Sequence, residues 1–290
     1  QLTANRTGGT SPFTYAWTGP SGFTGNAQTV SITQSGNYYL TITDATGCLS
    51  TSNGFVYSQF IPSATALQTT VCEGQTVQLS ASGTSATAYQ WSSNAGNATT
   101  STVTVTPALP SSTYTVTVTN NVGCTGTANS TISVNAKPTV SITGSNSVCV
   151  GATTQLSPTT GGTWTSSDGS KATVTNSGLV TALSSGTVNF TFTSSSTGCV
   201  SNPTGNVTIN ATPNAGVDPG SLDCFESDAV TMGATGSGTW TVGAGSAGTA
   251  TIVSPTSPTS TVNNFSTFGN YYMVWTNAQG CRDTAKVMVN

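Results

Sequence analysis

The chain has 290 residues, of which only 4% are charged and none is histidine, and its formal net charge is −3. Without histidine, a Ser-His-Asp triad, a Cys-His dyad or a histidine-containing zinc site cannot form, and five basic residues are too few to neutralise a run of nucleic-acid phosphates. The chain also has no run of about 18 apolar residues, so we predict no membrane-spanning helix.

The predicted elements begin with a strand at QLTAN and continue with FTYAW, which contains Trp17. The segment GNYYLTITDATGC at 36–48 then combines an alternating strand, a short polar turn and Gly-Cys. Similar segments follow along the chain at 112–124, 186–199 and 269–281. Alternation of apolar and polar residues with period 2 is typical of a half-buried strand.

A second motif, Cys followed by a turn and a strand, begins each later unit at 71–83, 147–158 and 222–234. One tryptophan lies between the two motifs of each unit, and these are Trp17, Trp91, Trp164 and Trp240. We therefore predict an all-β chain of tandem immunoglobulin-like β-sandwich modules arranged as a rod, with no helix longer than about two turns. The predicted modules are 1–58, 59–136, 137–211 and 212–290.

The opening QLTAN aligns with Gln78-Leu79-Ser80-Ala81 and with Gln155-Leu156-Ser157. In both of those units a cysteine lies six residues before the glutamine. We therefore expect the first module to lack its first strand and its leading cysteine. This accounts for the odd total of seven cysteines without a reactive thiol, since no histidine or basic neighbour lowers a thiol pKa.

The cysteine positions predict disulfides between modules. In an immunoglobulin-like sandwich, the leading cysteine and the cysteine before the last strand lie at opposite ends, about 15–20 Å apart, whereas a disulfide needs Cα atoms within about 7 Å. We therefore prefer Cys72–Cys199 and Cys149–Cys281, which leaves Cys48, Cys124 and Cys224 for partners beyond these residues or in another copy. A different strand topology would instead give Cys72–Cys124, Cys149–Cys199 and Cys224–Cys281.

Other candidate sites are few, and we predict no catalytic residue. The densest acidic cluster is a candidate calcium site, because Ca²⁺ is bound by several oxygen ligands; it comprises Asp218, Asp223, Glu226 and Asp228. The four tryptophans could form a sugar-stacking platform, but their recurrence at one place in each unit favours buried core positions. Phe23 and Phe60, in predicted loops, are the candidate ligand-binding aromatics.

Several segments resemble modules of known surface proteins. GGTSPFTYAWTGPSGFTG with GNYYLTITDATGC resembles the SprB-type and PKD-like repeats of giant cell-surface adhesins from Bacteroidetes. Residues 162–193 resemble a bacterial Ig-like group 2 module, and GTWTVGAGSAGTATIVSPTSPTSTV with GNYYMVWTNAQGC is again similar to PKD-like repeats. This resemblance implies a non-catalytic protein of the outer cell surface, exported by the type IX route and associated with gliding motility. Asp283-Thr284-Ala285 resembles the O-glycan acceptor of such bacteria, which makes Thr284 a candidate glycosylation site.

The function expected from this resemblance is a shaft segment of an extracellular adhesin or surface filament. Its expected partners are further modules or copies of the same protein, and a polysaccharide or another cell-surface ligand. Two alternatives stay open. One is a binding or spacer region of a large secreted polysaccharide-degrading enzyme, and the other is a self-polymerising fibre subunit completed by a neighbour's strand.

Overall fold

The computed structural model describes residues 1–57, 60–121, 123–222 and 229–290. Within these residues the regular structure is β-strand, apart from two 3-10 turns at Pro20–Gly22 and Ser93–Ala95. This confirms the predicted all-β class and the absence of long helices from the described part of the chain. The chain divides into two compact units, Gln1–Ser133 and Val134–Asn290.

The first predicted module supplies six strands. They are β1 (Leu2–Thr3), β2 (Thr14–Thr18), β3 (Thr24–Gly25), β4 (Thr29–Val30), β5 (Gly36–Thr43) and β6 (Leu49–Val56). One sheet has the order β3-β2-β5-β6, and β1 pairs with β4 in the other. Buried side chains of both sheets form a small core with Ala4, Trp17, Val30 and Leu40.

The second predicted module supplies seven strands in two sheets. They are β7 (Ser63–Ala66), β8 (Thr70–Cys72), β9 (Val77–Ser82), β10 (Ala86–Trp91), β11 (Thr102–Val105), β12 (Ser111–Asn120) and β13 (Thr125–Asn135). The sheet orders are β10-β12-β13-β8 and β11-β9-β7. The period-2 alternation decides which side faces the core: Tyr114, Val116 and Val118 of β12 are at most 2% exposed.

The third predicted module has nine short strands. They are β14 (Ser141–Ile142), β15 (Ser147–Cys149), β16 (Thr153–Ser157), β17 (Gly162–Ser166), β18 (Ala172–Val174), β19 (Leu179–Ala182), β20 (Gly186–Val188), β21 (Phe190–Ser194) and β22 (Val207–Asn210). Their sheet orders are β14-β16-β19-β18, β15-β22-β20 and β17-β21. The core between them includes Leu156, Trp164 and Phe190.

The fourth predicted module completes the chain with seven strands. They are β23 (Gly220–Leu222), β24 (Val230–Thr231), β25 (Thr239–Val242), β26 (Thr251–Ile252), β27 (Thr261–Asn263), β28 (Gly269–Thr276) and β29 (Arg282–Val289). The sheet orders are β23-β29-β28-β25 and β24-β27-β26. Trp240, Tyr271, Met273 and Trp275 lie in the core.

The first strand of a module is divided between its two sheets. In the second module, β7 pairs antiparallel with β9, and β8 then lies beside β13. In the third module, β14 pairs antiparallel with β16, and β15 then runs parallel to β22. In the fourth module, β23 runs parallel to β29. The divided strand thus closes one edge of the sandwich.

A buried tyrosine fixes the start of β5 and of β28. The Tyr38 hydroxyl donates to the Gln34 carbonyl at 2.8 Å, and the Tyr271 hydroxyl donates to the Thr267 carbonyl at 2.9 Å. Both bonds reach four residues upstream, as in the tyrosine corner of immunoglobulin-like domains. The sequence marks both positions by Gly-Asn-Tyr.

Candidate functional site

The joint between the third and fourth modules is closed by a covalent bond. Cys149 at the end of β15 and Cys281 just before β29 form a disulfide with a Cα–Cα distance of 5.6 Å. Beside this bond, the Asn277 side-chain amide donates to the Ala211 carbonyl in the connecting segment at 3.2 Å. Cys281 is only 1% exposed. The bond therefore joins the leading strand of one module to the last turn of the next.

The turn that presents Cys281 follows from the local sequence. The Asn277 side-chain oxygen accepts a hydrogen bond from the Cys281 amide at 2.9 Å, and Gly280 has a φ of 80° that glycine adopts without strain. Asn120 accepts from the Cys124 amide at 2.8 Å in the same way. An Asn or Asp four residues before the cysteine thus builds a defined turn, because its side chain replaces a backbone acceptor.

The bond between Cys149 and Cys281 is one of the two inter-module pairs that the sequence predicts. It is incompatible with the alternative pairs Cys149–Cys199 and Cys224–Cys281. The reason lies in the sheet, since Cys149 is opposite Asn210 at the end of β22. Cys199 precedes the start of that strand, so the strand separates the two cysteines.

The remaining cysteines differ in whether they are disulfide-bonded or free. Cys72 and Cys199 are also disulfide-bonded, whereas Cys48 and Cys124 are free and exposed. The free state of Cys124 is incompatible with the alternative pair Cys72–Cys124. The pairing of Cys72 with Cys199 stays a prediction, and Cys224 lies outside the described residues.

The first module carries a charged version of the same turn. Asp44 accepts hydrogen bonds from the Thr46 hydroxyl at 2.7 Å, the Thr10 amide at 3.1 Å and the Cys48 amide at 3.0 Å. These bonds, that from the Thr46 hydroxyl foremost, lower the pKa of Asp44 from the ordinary 3.8 to about 2. Hydrogen bonds to the ionised form favour ionisation, so Asp44 is a carboxylate in the folded module.

The four recurrent tryptophans are core residues. Trp17, Trp91, Trp164 and Trp240 are between 1% and 6% exposed, which confirms the predicted burial. Each indole N–H also donates to a backbone carbonyl, at 3.0 Å to Ala27, 2.9 Å to Thr100, 2.9 Å to Pro158 and 3.2 Å to Pro258. Because the rings are inside the sandwiches, they do not form a sugar-stacking platform.

The predicted ligand-binding aromatics lie apart from each other. Phe23 is half-buried and contacts Tyr38 edge-on, with ring centroids 5.3 Å apart. Phe60 is also half-buried and packs where Gly83 and Gly126 leave room, because an added Cβ at either glycine would come within 3 Å of Phe60 or the neighbouring Pro62. Both rings therefore have packing roles, and their ligand binding stays a prediction.

An exposed aromatic pair was missed from the sequence. Phe55 is 51% exposed and Tyr57 is 71% exposed, and their rings make an edge-on contact with centroids 4.7 Å apart. Together with Phe60 and Cys124 they line a cavity of about 190 Å³ between the first two modules. The signal available in the sequence was Phe-Val-Tyr at the end of a strand, which places two aromatics on the outward face.

The calcium and glycosylation candidates are only partly placed. Asp218 accepts a hydrogen bond from the Lys286 amide at 2.7 Å, while Asp223, Glu226 and Asp228 lie outside the described residues. Among the described residues, no group of three or more potential ligands is arranged to hold a metal ion. Thr284 is exposed on β29. Calcium binding and glycosylation both stay predictions.

Comparison with known proteins supports the fold. Residues 128–202 match the family model "Bacterial Ig-like domain (group 2)", which overlaps the segment that resembles such a module. The sheet topology shows tandem immunoglobulin-like β-sandwiches, and this match covers part of the second and third predicted modules. No curated protein matches the sequence. Within the described part of the chain, no helix has the length and apolar character needed to cross a bilayer.

Three solved structures illustrate the similarity. Invasin, a bacterial integrin-binding protein, is 13% identical, with a TM-score of 0.31 and coverage of 96% of this chain and 72% of that one. Immunoglobulin domains 1–5 of Sidekick-1 are 14% identical, with a TM-score of 0.24 and coverage of 96% and 74%. SGBP-B of the Bacteroides ovatus mixed-linkage glucan utilization locus, in complex with a mixed-linkage heptasaccharide, is 12% identical, with a TM-score of 0.21 and coverage of 78% and 70%. Similarities this low carry no argument about ligands or partners.

Proposed function

We propose that the chain is a non-catalytic structural segment of an extracellular surface protein, the shaft of an adhesin or filament. The carrying observation is the Cys149–Cys281 disulfide, which ties one module to the next. A disulfide that closes a joint limits how the two modules can move, which suits a load-bearing spacer. Disulfides also persist mainly in oxidising compartments, which favours a location outside the cytoplasm.

The finer assignment within this proposal is a SprB-type repeat region of a gliding-motility adhesin in Bacteroidetes. It rests on the resemblance of GGTSPFTYAWTGPSGFTG with GNYYLTITDATGC to SprB-type and PKD-like repeats, and on the similarity of 238–262 and 269–281 to PKD-like repeats. Its expected partners are further modules of the same kind.

The test is surface localisation in the source cells. Antibodies raised against residues 1–290 should label intact cells, and protease added outside should remove the signal. A cytoplasmic protein released by lysis serves as the control for cell integrity. Labelling only after permeabilisation would refute the surface assignment.

A second role, as the binding or spacer region of a polysaccharide-degrading enzyme, is favoured by one observation. The Phe55–Tyr57 pair is exposed beside a cavity of about 190 Å³, and exposed aromatic rings suit contact with sugar rings. Tyr57→Ala should then weaken retention on a polysaccharide matrix, whereas Tyr39→Ala, which removes a ring that is 53% exposed on β5, should not. Equal retention of both variants would exclude this pair as the binding surface.

A further inference from the structure

The first module has one edge whose core positions are not fully covered. Leu2 aligns with Leu79 and Leu156 of the next two modules, and both of those are 0% exposed, whereas Leu2 is half-buried. Leu2 lies on β1, at the edge where β7 and β14 pair in the second and third modules.

The last strand of the first module, β6, lies on the opposite side of this edge, and its final valine is also less buried than its counterpart in the fourth module. Val56 pairs with Gly36 at the end of β6, and Val289 pairs with Gly269 at the end of β29 in the same register. Val289 is 2% exposed, but Val56 is half-buried. In the described residues β6 pairs only with β5, whereas β29 pairs with β28 and with β23.

A groove lies between β1 and β6. Its volume is about 330 Å³, and its lining includes Leu2, Ala4, Trp17, Leu40, Ser52 and Gly54. A Cβ added at Gly54 would meet nothing within 4 Å. The groove therefore reaches core side chains and has room for further ones.

The other modules show what fills such a groove. Residues 63–72 and 141–149 contain the divided first strands, which run from one sheet to the other. Val71 and Val148, just before each leading cysteine, are 4% and 8% exposed. A segment of about ten residues with an aliphatic residue before a final cysteine thus fits this edge.

The cysteine of such a segment would have a matching partner. In the third and fourth modules, the leading Cys149 bonds to Cys281, the turn cysteine of the following module. The turn cysteine that follows the first module is Cys124, which is free and exposed. Cys124 lines the cavity of about 190 Å³ together with Tyr57, the residue after β6. The free thiol therefore lies near the end of the strand beside which the segment would run.

We propose that the groove between β1 and β6 binds an extended peptide segment ending in aliphatic–Cys, which pairs parallel to β6 and forms a disulfide with Cys124. Both described segments of this type, 63–72 and 141–149, already pair within their own modules, so the occupant is another polypeptide segment. This inference does not depend on the proposed surface role.

The test uses a synthetic peptide with the sequence of residues 63–73, SATALQTTVCE. Its cysteine carries thionitrobenzoate as a mixed disulfide. The Cys124 thiolate attacks the peptide sulfur, a new disulfide forms, and the released thionitrobenzoate anion reports the rate. We expect Cys124 to react at least about tenfold faster than Cys48, because a bound strand raises the effective concentration of the second sulfur. Peptide mapping identifies the modified cysteine.

Three controls separate strand binding from simple thiol reactivity. A peptide with Ala64→Asp and Val71→Asp should lose the preference for Cys124, because it would bury charge. In the protein, Gly54→Trp should fill the groove and abolish the preference, whereas Tyr39→Trp, at a position on β5 that is 53% exposed and does not line the groove, should keep it. Both variants should react with the disulfide of thionitrobenzoate alone, without a peptide, at the same rate as the unmodified chain. Equal rates would show that the Cys124 thiol is intact.

The bound peptide should also slow amide hydrogen exchange in residues 50–56. Equal rates at Cys48 and Cys124, or equal rates with the doubly charged peptide, would overturn the proposal. A Cys124-linked dimer that forms in preference to the peptide adduct would assign the groove to a second copy and would also overturn it.

Discussion

Tyr271 and Asp44 show how one polar side chain can hold a turn in this nearly uncharged chain. Tyr271 is 0% exposed and satisfies the Thr267 backbone with two hydrogen bonds, since it accepts from the Thr267 amide at 3.1 Å and donates to the carbonyl. Asp44 accepts hydrogen bonds from the Thr46 hydroxyl and the Cys48 amide in the turn before Cys48. In both turns, a side chain supplies a hydrogen-bond acceptor to a backbone amide.

Replacing Tyr271 by Phe should destabilise the fourth module by about 1 kcal/mol, because the hydrogen bond between the tyrosine hydroxyl and the Thr267 carbonyl is lost. The neighbouring Tyr272→Phe is the matched control, since its side chain points to the other face of β28 and is only half-buried. Urea unfolding followed by tryptophan fluorescence measures both. Equal midpoints for the two variants would contradict this role of the hydroxyl.

Asp44 should make the first module sensitive to acid. Its folded pKa of about 2 lies below the ordinary 3.8, so its stabilising contribution is present above about pH 4 and is lost as the pH falls towards 2. Asp44→Asn should remove this dependence, because an amide oxygen accepts the same bonds and does not titrate in this range. The test is the chemical shift of the Cys48 amide, followed by NMR between about pH 2 and 5. It should change as Asp44 is protonated, whereas the shift of the Cys124 amide, which donates to Asn120, is the internal control.

Among the strands, the tryptophan strand of each module links the two sheets. Trp91 ends β10 in one sheet, and its indole donates to the Thr100 carbonyl two residues before β11 of the other sheet. One side chain therefore fills the core and satisfies a carbonyl across it.

Trp91→Ala should cost about 3–5 kcal/mol of the unfolding free energy, because a large buried side chain is removed and a cavity remains. Leu67→Ala, at a position that is 76% exposed in the same module, should change it by less than about 0.5 kcal/mol. Thermal unfolding of both variants provides the comparison. A small effect of Trp91→Ala would mean that the second module does not depend on this core.

The strands and cores were predictable because alternation and recurrent Trp-containing strands directly reflect burial. The sequence also indicated the Cys149–Cys281 bond, since strand direction places the leading and turn cysteines at opposite ends of one module. It did not reveal the indole–carbonyl bonds, because these depend on the loop that approaches each ring. It also missed the exposed pair Phe55 and Tyr57, since aromatic residues in a strand are usually interpreted as core.

At the scale of the whole molecule, the cysteines that the structure describes are consistent with one rule, in which a leading cysteine pairs with the turn cysteine of the next module. The rule is observed for Cys149 and Cys281. Applied one module earlier, it pairs Cys72 with Cys199, and applied to the first module, it would give Cys124 a partner on the strand that we propose for the groove.

Digestion without reduction should therefore release two cross-linked peptide pairs, one with Cys72 and Cys199 and one with Cys149 and Cys281. Mass spectrometry before and after reduction identifies them. Alkylation before digestion should label Cys48 and Cys124 only, among the cysteines that the structure describes. A cross-link between Cys72 and Cys124 would contradict the rule.

The Cys149–Cys281 bond also limits how far the chain can be stretched. The two cysteines are 132 positions apart in the sequence, and a fully extended stretch of that length would reach about 450 Å. Tension applied at Val134 and Asn290 would pass through the sulfur atoms rather than through this stretch. Even if both cores unfolded, the chain between the two cysteines would bear no tension. The molecule would lengthen only through the short segments outside the two cysteines, until a reductant cleaved the bond.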